Sequence, residues 1–290
     1  MLPKAIRDQI EALGPDLSPD MMKGTQGLIA ALHGEPDPAT KIVRDLVYGP
    51  DERHKVDIFA KDGTANAPVL VFVHGGGFVM GDKRSEGTPF YDNIGAFAAA
   101  NGWVGATITY RLAPANPWPA GPEDLATLVG WLRASIADHG GNPDSIFLMG
   151  QSAGAVHVAS YAALDRFHGP DGAGIAGALM ISCIYDVEAA HANQFHLAYY
   201  GEDRSAYAAC SPADGLIAAD IPFLASVSEF DIEDFQKQAA DFVGRYGKTR
   251  SAYPRMLYFE GHNHLSPALA VGSSADTLGP EIRTFVEAYS

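Results

Sequence analysis

A single serine stands between two glycines in the stretch Met149–Ala155 (MGQSAGA), at the spacing G-x-S-x-G. An apolar run precedes it and an alanine-rich stretch follows it, so a strand is predicted to turn directly into a helix at Ser152. Such a corner crowds the backbone, and the two glycines remove the side chains that would clash. The pattern predicts that the Ser152 hydroxyl projects above the sheet as a nucleophile. The amide of Ala153 should then be unpaired at the helix N-terminus, facing any developing negative charge.

A serine hydroxyl is a poor nucleophile until a base takes its proton. Among ten histidines, the base is expected on the loop after the last predicted strand, Phe259–Leu265 (FEGHNHL). His264 is the preferred base, because Gly261 and Asn263 let the loop turn before it. His262 is the alternative. An H-x-H zinc pair is a third interpretation, but no cysteine or carboxylate cluster supplies further ligands at a recognisable spacing.

The imidazole needs a carboxylate to orient it, expected on the loop after the preceding predicted strand, Pro222–Ser228. Asp231 is the first choice for this acid and Glu229 is the second. Two further acids fall in the first turn of the next predicted helix, where the helix dipole explains them without catalysis. The resulting chain order, Ser152, Asp231, His264, is the order expected when a triad is built on such a sheet.

A glycine-rich loop, His74–Phe78 (HGGGF), leaves the end of the apolar run Val69–Val73. Three consecutive glycines permit a close approach of backbone to a reacting group. The amides of Gly76 and Gly77, together with that of Ala153, are therefore the candidate oxyanion hole. A nucleotide-binding loop is the alternative, but the stretch lacks both G-x-G-x-x-G and the Walker lysine spacing.

The elements around these loops alternate between short apolar runs and longer helical patterns. Near-continuous apolar runs are typical of strands buried on both faces of a parallel sheet. The predicted strands of this kind are Val69–His74, Val104–Tyr110, Ile146–Met149, Ile175–Ser182, Pro222–Ser228 and Arg255–Phe259. Two alternating segments, Lys41–Tyr48 and Lys55–Ala60, are predicted to be an exposed antiparallel pair at one edge. The predicted helices are Phe90–Asn101, Gly121–Asp138, Ala153–Phe167, Ile232–Tyr246 and Pro280–Tyr289.

This alternation predicts an α/β fold, with a doubly wound, mostly parallel eight-stranded sheet and helices on both faces. Residues 1–40 contain two helical patterns and are predicted to form a small N-terminal helical cap. Residues 41–290 are predicted to be the catalytic domain, with a lid-like insertion at about 186–220. Both extra segments are expected near the active site. Five aromatic residues of the lid region either line a substrate pocket or pack within the lid: Tyr185, Phe195, Tyr199, Tyr200 and Tyr207.

Several motifs resemble the α/β-hydrolase superfamily, and more narrowly the carboxylesterases related to hormone-sensitive lipase. These motifs are HGGGF (74–78), YRLAP (110–114) and GQSAG (150–154). Other stretches are more similar to the neighbouring branch of arylformamidases and feruloyl-type esterases, namely ISCIYDV (181–187), Ser211-Pro212 and EFDIEDFQKQ (229–238). The resemblance implies the α/β-hydrolase fold, with the triad and oxyanion residues given above. Gln151 and Ala155 depart from the lipase-related pattern, which has an acidic residue and a glycine at these positions.

The residues and the resemblance together predict a serine carboxylesterase that acts through an acyl-enzyme on short-chain or small aromatic esters. Such chemistry needs no metal or organic cofactor. One alternative is an arylformamidase that hydrolyses N-formyl-kynurenine with the same triad. A second alternative is a non-catalytic ligand-binding protein on the same fold, as in the plant gibberellin receptors, which resemble these esterases without the histidine.

Composition limits the expected partners. The 290 residues carry a formal charge of −15, which disfavours nucleic acid and anionic membranes and leaves a small-molecule ester as the expected partner. Cys183 and Cys210 are expected to be reduced, as in a cytoplasmic protein. No signal-peptide core and no membrane span is predicted. The oligomeric state stays open, with a homodimer among the alternatives.

Overall fold

The computed structural model describes residues 2–290. Its centre is one eight-stranded sheet with the order β1-β2-β4-β3-β5-β6-β7-β8. The strands are β1 (Thr40–Val47), β2 (Lys55–Lys61), β3 (Ala67–Val73), β4 (Val104–Ile108), β5 (Gly141–Gln151), β6 (Gly177–Ile181), β7 (Phe223–Phe230) and β8 (Met256–Asn263). Strand β2 runs antiparallel to both of its neighbours, and all other pairings in this sheet are parallel. The predicted mostly parallel, eight-stranded sheet is confirmed.

Helices cover both faces of the sheet. Over residues 2–290 they are α1 (Lys4–Leu13), α2 (Pro19–Ala30), α3 (Asp92–Ala100), α4 (Ala120–Ser135), α5 (Ala153–Ala163), α6 (Gln194–Tyr200), α7 (Tyr207–Cys210), α8 (Ala213–Ala218), α9 (Glu233–Arg250), α10 (Ser266–Ala270) and α11 (Gly279–Tyr289). On one face, α4, α5, α8 and α9 contribute to the larger apolar core, and on the other α3 and α11 contribute to a second core.

Strand β3 shows why the central strands have continuous apolar sequences. Val69, Val71 and Val73 point into the larger core, whereas Leu70 and Phe72 point into the second core. Successive side chains of a strand alternate between the faces of the sheet, so a strand covered on both sides needs apolar residues at every position.

The predicted edge pair is antiparallel, but only β1 is exposed. In β2 the residues Val56 to Phe59 are buried, because Val56 and Ile58 belong to the larger core on one face of the sheet and Phe59 lies against Gly95 of α3 on the other. The prediction that both strands are exposed is therefore wrong for β2. Ile42, Val43 and Val47 on β1 keep 40%, 43% and 55% of their surfaces exposed.

Two segments stand outside the strand–helix alternation. Residues 2–39 form α1 and α2, which pack through Ile10 and Ile29 against Phe90 and Leu269. Residues 186–220 contain the short helices α6, α7 and α8. The division into a cap (1–40) and a catalytic domain (41–290) stays a prediction. Within the described residues, no helix has the length and apolar character needed to cross a membrane.

Candidate active site

Ser152 stands at the corner where β5 ends and α5 begins. Its backbone has φ 56° and ψ −122°, a conformation that side-chain-bearing residues rarely adopt. A Cβ atom on Gly154 would lie 2.1 Å from the Val73 carbonyl oxygen, and one on Gly150 would lie 2.2 Å from the Gly154 carbonyl oxygen. The corner therefore packs so tightly against β3 and α5 that only glycine fits on either side of the serine motif.

Three side chains meet at this corner. His264, in the turn after β8, has its Nε2 atom 2.8 Å from the Oγ atom of Ser152. Its Nδ1–H donates to Oδ1 of Asp231 at 2.6 Å. Asp231 directly follows β7, which pairs with β8, so adjacent strands bring the acid and the histidine together. All three side chains are buried, with at most 8% of each residue exposed.

The Asp231 carboxylate is held by several donors. Oδ2 accepts a hydrogen bond from the Ser182 hydroxyl at 2.5 Å and one from the Ser228 amide at 3.3 Å, while the Ile232 amide donates to Oδ1 at 3.0 Å. Burial raises the pKa of Asp231, but the charge of His264 and the hydrogen bonds from His264 and Ser182 outweigh it and hold the pKa below its usual value. The carboxylate is therefore ionised and ready to orient the imidazole.

The alternative base and acid lie elsewhere. His262 is buried at the end of β8, where its ring nitrogens bond to the hydroxyls of Ser266 at 2.9 Å and Thr277 at 2.8 Å. Glu229 receives two hydrogen bonds from the Arg7 guanidinium, at 2.9 and 3.1 Å. The structure brings His264 and Asp231 to the serine, and it gives His262 and Glu229 supporting contacts. Over residues 2–290, no group of three or more His, Cys, Asp or Glu side chains is placed to hold a metal ion.

The glycine-rich loop lies beside Ser152 with its amides unused. Within the part of the chain that the structure describes, no group accepts a hydrogen bond from the amides of Gly76, Gly77 or Ala153, and all three residues line the same cavity. Gly76 has φ 126°, and a Cβ atom there would lie 2.0 Å from the Met80 carbonyl oxygen. This arrangement provides free donors next to the serine hydroxyl, as an oxyanion hole requires.

His74 supports the loop from below. Its Nδ1–H donates to the Gly75 carbonyl at 2.7 Å, and its own carbonyl accepts a hydrogen bond from the Tyr110 hydroxyl at 2.8 Å. Burial lowers the pKa of His74 to about 4. The ring is therefore neutral at pH 7 and acts as a fixed hydrogen-bonding group.

A cavity of about 330 Å³ opens above the triad. Its apolar wall comes from the N-terminal helices, the glycine-rich loop, α5, α6 and α9: Leu17, Met22, Met80, Val156, Phe195 and Phe235. Among the described residues that line it, none is lysine or arginine. The walls therefore suit an uncharged group of limited size.

Only one of the five aromatic residues considered from the sequence lines this cavity. Phe195 does so. Tyr185, Tyr199 and Tyr207 are at most 1% exposed and belong to the core, and Tyr200 packs against Phe78 and Trp118. For these four tyrosines the second alternative, packing within the lid, applies, because their rings lie against core residues and not in the cavity.

Some residues of the site were missed from the sequence. Gln151 donates through Nε2 to the His264 carbonyl at 3.0 Å, which ties the serine corner to the histidine turn. In the sequence, Gln151 stands out only as a departure from the lipase-related motif. No sequence pattern predicted a role for Ser182, whose hydroxyl donates to Asp231. Asn263 donates to the Thr25 hydroxyl at 2.7 Å, which links α2 to the turn that carries His264.

A comparison with known families agrees with this fold. Residues 70–216 match a family model described as an alpha/beta hydrolase fold. The chain belongs to this family.

Several relatives of this chain are named esterases. Esterase LipQ of Mycobacterium tuberculosis is 38% identical over 125 residues, a match that covers 42% of this chain and 28% of LipQ. Probable carboxylesterase 13 of Arabidopsis thaliana is 28% identical over 198 residues. This match covers 58% of this chain and 59% of the relative. The match to LipQ therefore spans less than a third of the length of LipQ.

Solved structures show the same fold over the whole chain. Esterase B from Lactobacillus rhamnosis superposes with a TM-score of 0.75 at 15% identity, and the superposition covers 99% of this chain and 95% of the esterase. An esterase from the bacterial hormone-sensitive lipase family superposes with a TM-score of 0.71 at 21% identity, and the superposition covers 99% of this chain and 97% of that esterase. At these identities the likeness concerns the fold alone.

Proposed function

We propose that this hydrolase is a serine carboxylesterase that cleaves short-chain or small aromatic esters through an acyl-enzyme. One observation carries the proposal, namely the hydrogen-bonded chain from Ser152 through His264 to Asp231 at 2.8 and 2.6 Å. The Ser152 end of these hydrogen bonds lies at the floor of the cavity, next to the unused amides of Gly76, Gly77 and Ala153. The proposal gives Ser152 the role of nucleophile, His264 that of base and Asp231 that of the orienting acid.

The geometry fits each step of acyl transfer. His264 takes the Ser152 proton on Nε2 as the hydroxyl oxygen attacks the ester carbonyl. The amides of Gly76, Gly77 and Ala153 receive the oxyanion. His264 then protonates the departing alcohol and later removes a proton from the water that releases the acid. Asp231 stays ionised throughout and stabilises the imidazolium.

The cavity favours small, uncharged esters. At about 330 Å³ it is near the lower end of ligand sites. A carboxylate on the substrate would find no lysine or arginine among the described lining residues to compensate for its lost hydration. N-formyl-kynurenine carries such a carboxylate, so this observation favours the ester over the formamide as substrate.

Replacing the nucleophile tests the reaction type. Ser152→Ala should lower ester turnover by about 10³-fold or more and abolish labelling by a fluorescent organophosphonate. Ser160→Ala is the matched control, because Ser160 is also buried and its hydroxyl has no hydrogen-bond partner in residues 2–290. Near-native esterase activity in Ser152→Ala would overturn the proposed function. A wild-type protein that stays unlabelled would instead support a non-catalytic binding protein.

A substrate series tests the class of ester. We expect kcat/KM for p-nitrophenyl esters to peak at short acyl chains and to fall for long ones, and a carboxylate-bearing acyl group to be a poor substrate. Turnover of N-formyl-kynurenine should be far below that of phenyl acetate. The opposite order would make the protein an arylformamidase with the same triad.

Residues 1–40 are proposed to act as a helical cap over the site. Leu17, Met22 and Gln26 come from this segment and line the cavity. Met22→Ala should therefore alter KM more than the rate of chemistry. An unchanged chain-length preference in Met22→Ala would contradict this role.

A cytoplasmic location is a further part of the proposal, whereas the oligomeric state stays open, with a homodimer among the alternatives. Cys183 and Cys210 are both buried free thiols, which fits a reducing compartment. Cell fractionation tests the location, and size-exclusion chromatography with light scattering tests the oligomeric state.

A further inference from the structure

Ser182 directly follows β6, the strand that lies between β5 and β7. Its amide donates to the Ser226 carbonyl on β7 at 3.0 Å, while the carbonyl of Ile181 accepts the Ser152 amide at 2.9 Å. The end of β6 is thus bonded to the strand that carries the nucleophile and to the strand that leads to the acid. Ser182 is therefore fixed relative to both Ser152 and Asp231.

The Ser182 hydroxyl occupies the side of the acid that the histidine leaves free. Its Oγ donates to Oδ2 of Asp231 at 2.5 Å, while Oδ1 takes the His264 ring at 2.6 Å. Ser182 is 1% exposed, so water does not compete for this bond. The second donor to Oδ2, the Ser228 amide, is longer at 3.3 Å. A short bond from a hydroxyl to a carboxylate is the strong, charge-assisted kind.

The backbone at Ser182 is held in an unfavourable conformation. Its φ of 52° lies in the left-handed region, where glycine and asparagine are more common than serine. A strained residue that is buried beside an active site indicates a functional constraint. At this position the hydroxyl is the feature that a glycine would lack.

We propose that Ser182 is a positioning residue whose hydroxyl holds the Asp231 carboxylate in the plane that His264 requires. This inference rests on the proposed function, because it concerns the same triad. Without the hydroxyl, the carboxylate has one weak donor on Oδ2 and can rotate about its χ2 bond. The imidazole then loses part of its fixed orientation towards Ser152.

A pair of serine variants tests the inference. Ser182→Ala should lower kcat by about ten- to a hundredfold, the effect of losing a hydrogen bond to a charged group, with little change in KM. Ser226→Ala is the control: Ser226 is equally buried on the adjacent strand, and no group in residues 2–290 bonds its Oγ atom. That control should retain wild-type kcat. Thermal unfolding of both variants checks that they fold.

Two further measurements separate positioning from general support of the fold. Ser182 helps to lower the pKa of Asp231, whose titratable neighbour is His264. The acid limb of the kcat/KM profile should therefore move to higher pH in Ser182→Ala, because a carboxylate that has lost this donor attracts the proton between it and the His264 ring more strongly. In a double-mutant cycle, Ser182→Ala should cost less than threefold in the Asp231→Asn background, since the charge that it serves is gone.

The outcomes distinguish this inference from the proposed function. If Ser182→Ala matches Ser226→Ala in kcat and in the acid limb, the positioning role is overturned while the esterase stands. If the wild type hydrolyses no ester, the proposed function fails, and proton NMR still tests the geometry. The low-field signal of the His264 Nδ1–H should shift in Ser182→Ala and stay in Ser226→Ala. An unchanged signal in both variants would also overturn the inference.

Discussion

Gly154→Ala tests how tightly the serine corner is packed. A Cβ atom at this position would lie 2.1 Å from the Val73 carbonyl oxygen and 2.5 Å from that of His74. An ordinary contact starts at about 3.4 Å, so the added atom is more than 1 Å too close to backbone that cannot rotate away. Helix α5 must then move away from β3 or the strand must distort.

The magnitude follows from two opposing terms. Overpacking a tight interior site costs about 1–3 kcal/mol and sometimes more, whereas alanine gains about 0.5–1 kcal/mol over glycine within a helix. We expect a net loss of about 2 kcal/mol in the free energy of unfolding, which lowers Tm by about 3 °C. A shift of about 1 Å between Ser152 and the glycine-rich loop should also cost about 10²-fold in kcat/KM.

The assay compares two glycines in helices. Gly130 is exposed in α4, and a Cβ atom there has no described neighbour within 4 Å, so Gly130→Ala should gain about 0.5–1 kcal/mol and keep its activity. Calorimetry gives the stability of both variants, and hydrolysis of a short p-nitrophenyl ester gives kcat/KM. If Gly154→Ala is as stable and as active as the wild type, the close approach of α5 to β3 does not explain the motif.

Two further predictions concern stability. Burial lowers the pKa of His157 to about 3, so the unfolded chain binds this proton more readily and stability is lost as pH falls below about 6.5. Between pH 7 and pH 5, His157→Phe should therefore lose about 2 kcal/mol less than the wild type in urea unfolding, and equal losses would refute a neutral, buried ring. Arg7→Met should lower the free energy of unfolding by about 0.5–1 kcal/mol and should slow ester turnover. The reason is that Arg7 holds the Glu229 carboxylate, which accepts a hydrogen bond from the Gly261 amide at 2.7 Å, three residues before His264. Lys4→Met, which breaks a mostly exposed pair, should leave turnover unchanged, and similar turnover in both variants would exclude such a link.

Local chemistry made much of the site predictable. The glycines around Ser152 and in residues 75–77 indicate close backbone approaches, because glycine is the residue that leaves room for them, but which group approaches depends on the fold, as with the Val73 carbonyl oxygen against Gly154. The parallel order of the sheet then limits the histidine and the acid to loops at one edge. This reasoning leads to two short stretches, each with two candidates, and it favours His264 over His262 and Asp231 over Glu229.

Contacts between distant segments were beyond the reach of sequence patterns. The sequence of β2 alternates like an exposed strand, but its two faces are covered by the larger core and by α3. The tyrosines of the lid could line a pocket or pack within the lid, and three-dimensional packing places three of them in the core and Tyr200 against it. Gln151 and Ser182 became visible as parts of the site only through partners more than 40 positions away, at His264 and Asp231.

The sequence by itself determined where a sharp strand-to-helix corner forms, which residue projects from it, and that the surrounding sheet is covered on both faces. These features follow from steric limits on the backbone and from the two-residue period of strands. Tertiary structure alone decided which nitrogen faces the hydroxyl, which carboxylate lies behind it, and what holds that carboxylate in place. The three hydrogen bonds of this site have donor–acceptor distances of 2.5, 2.6 and 2.8 Å, which depend on how strands and turns pack. No local sequence pattern encodes such distances between residues far apart in the chain.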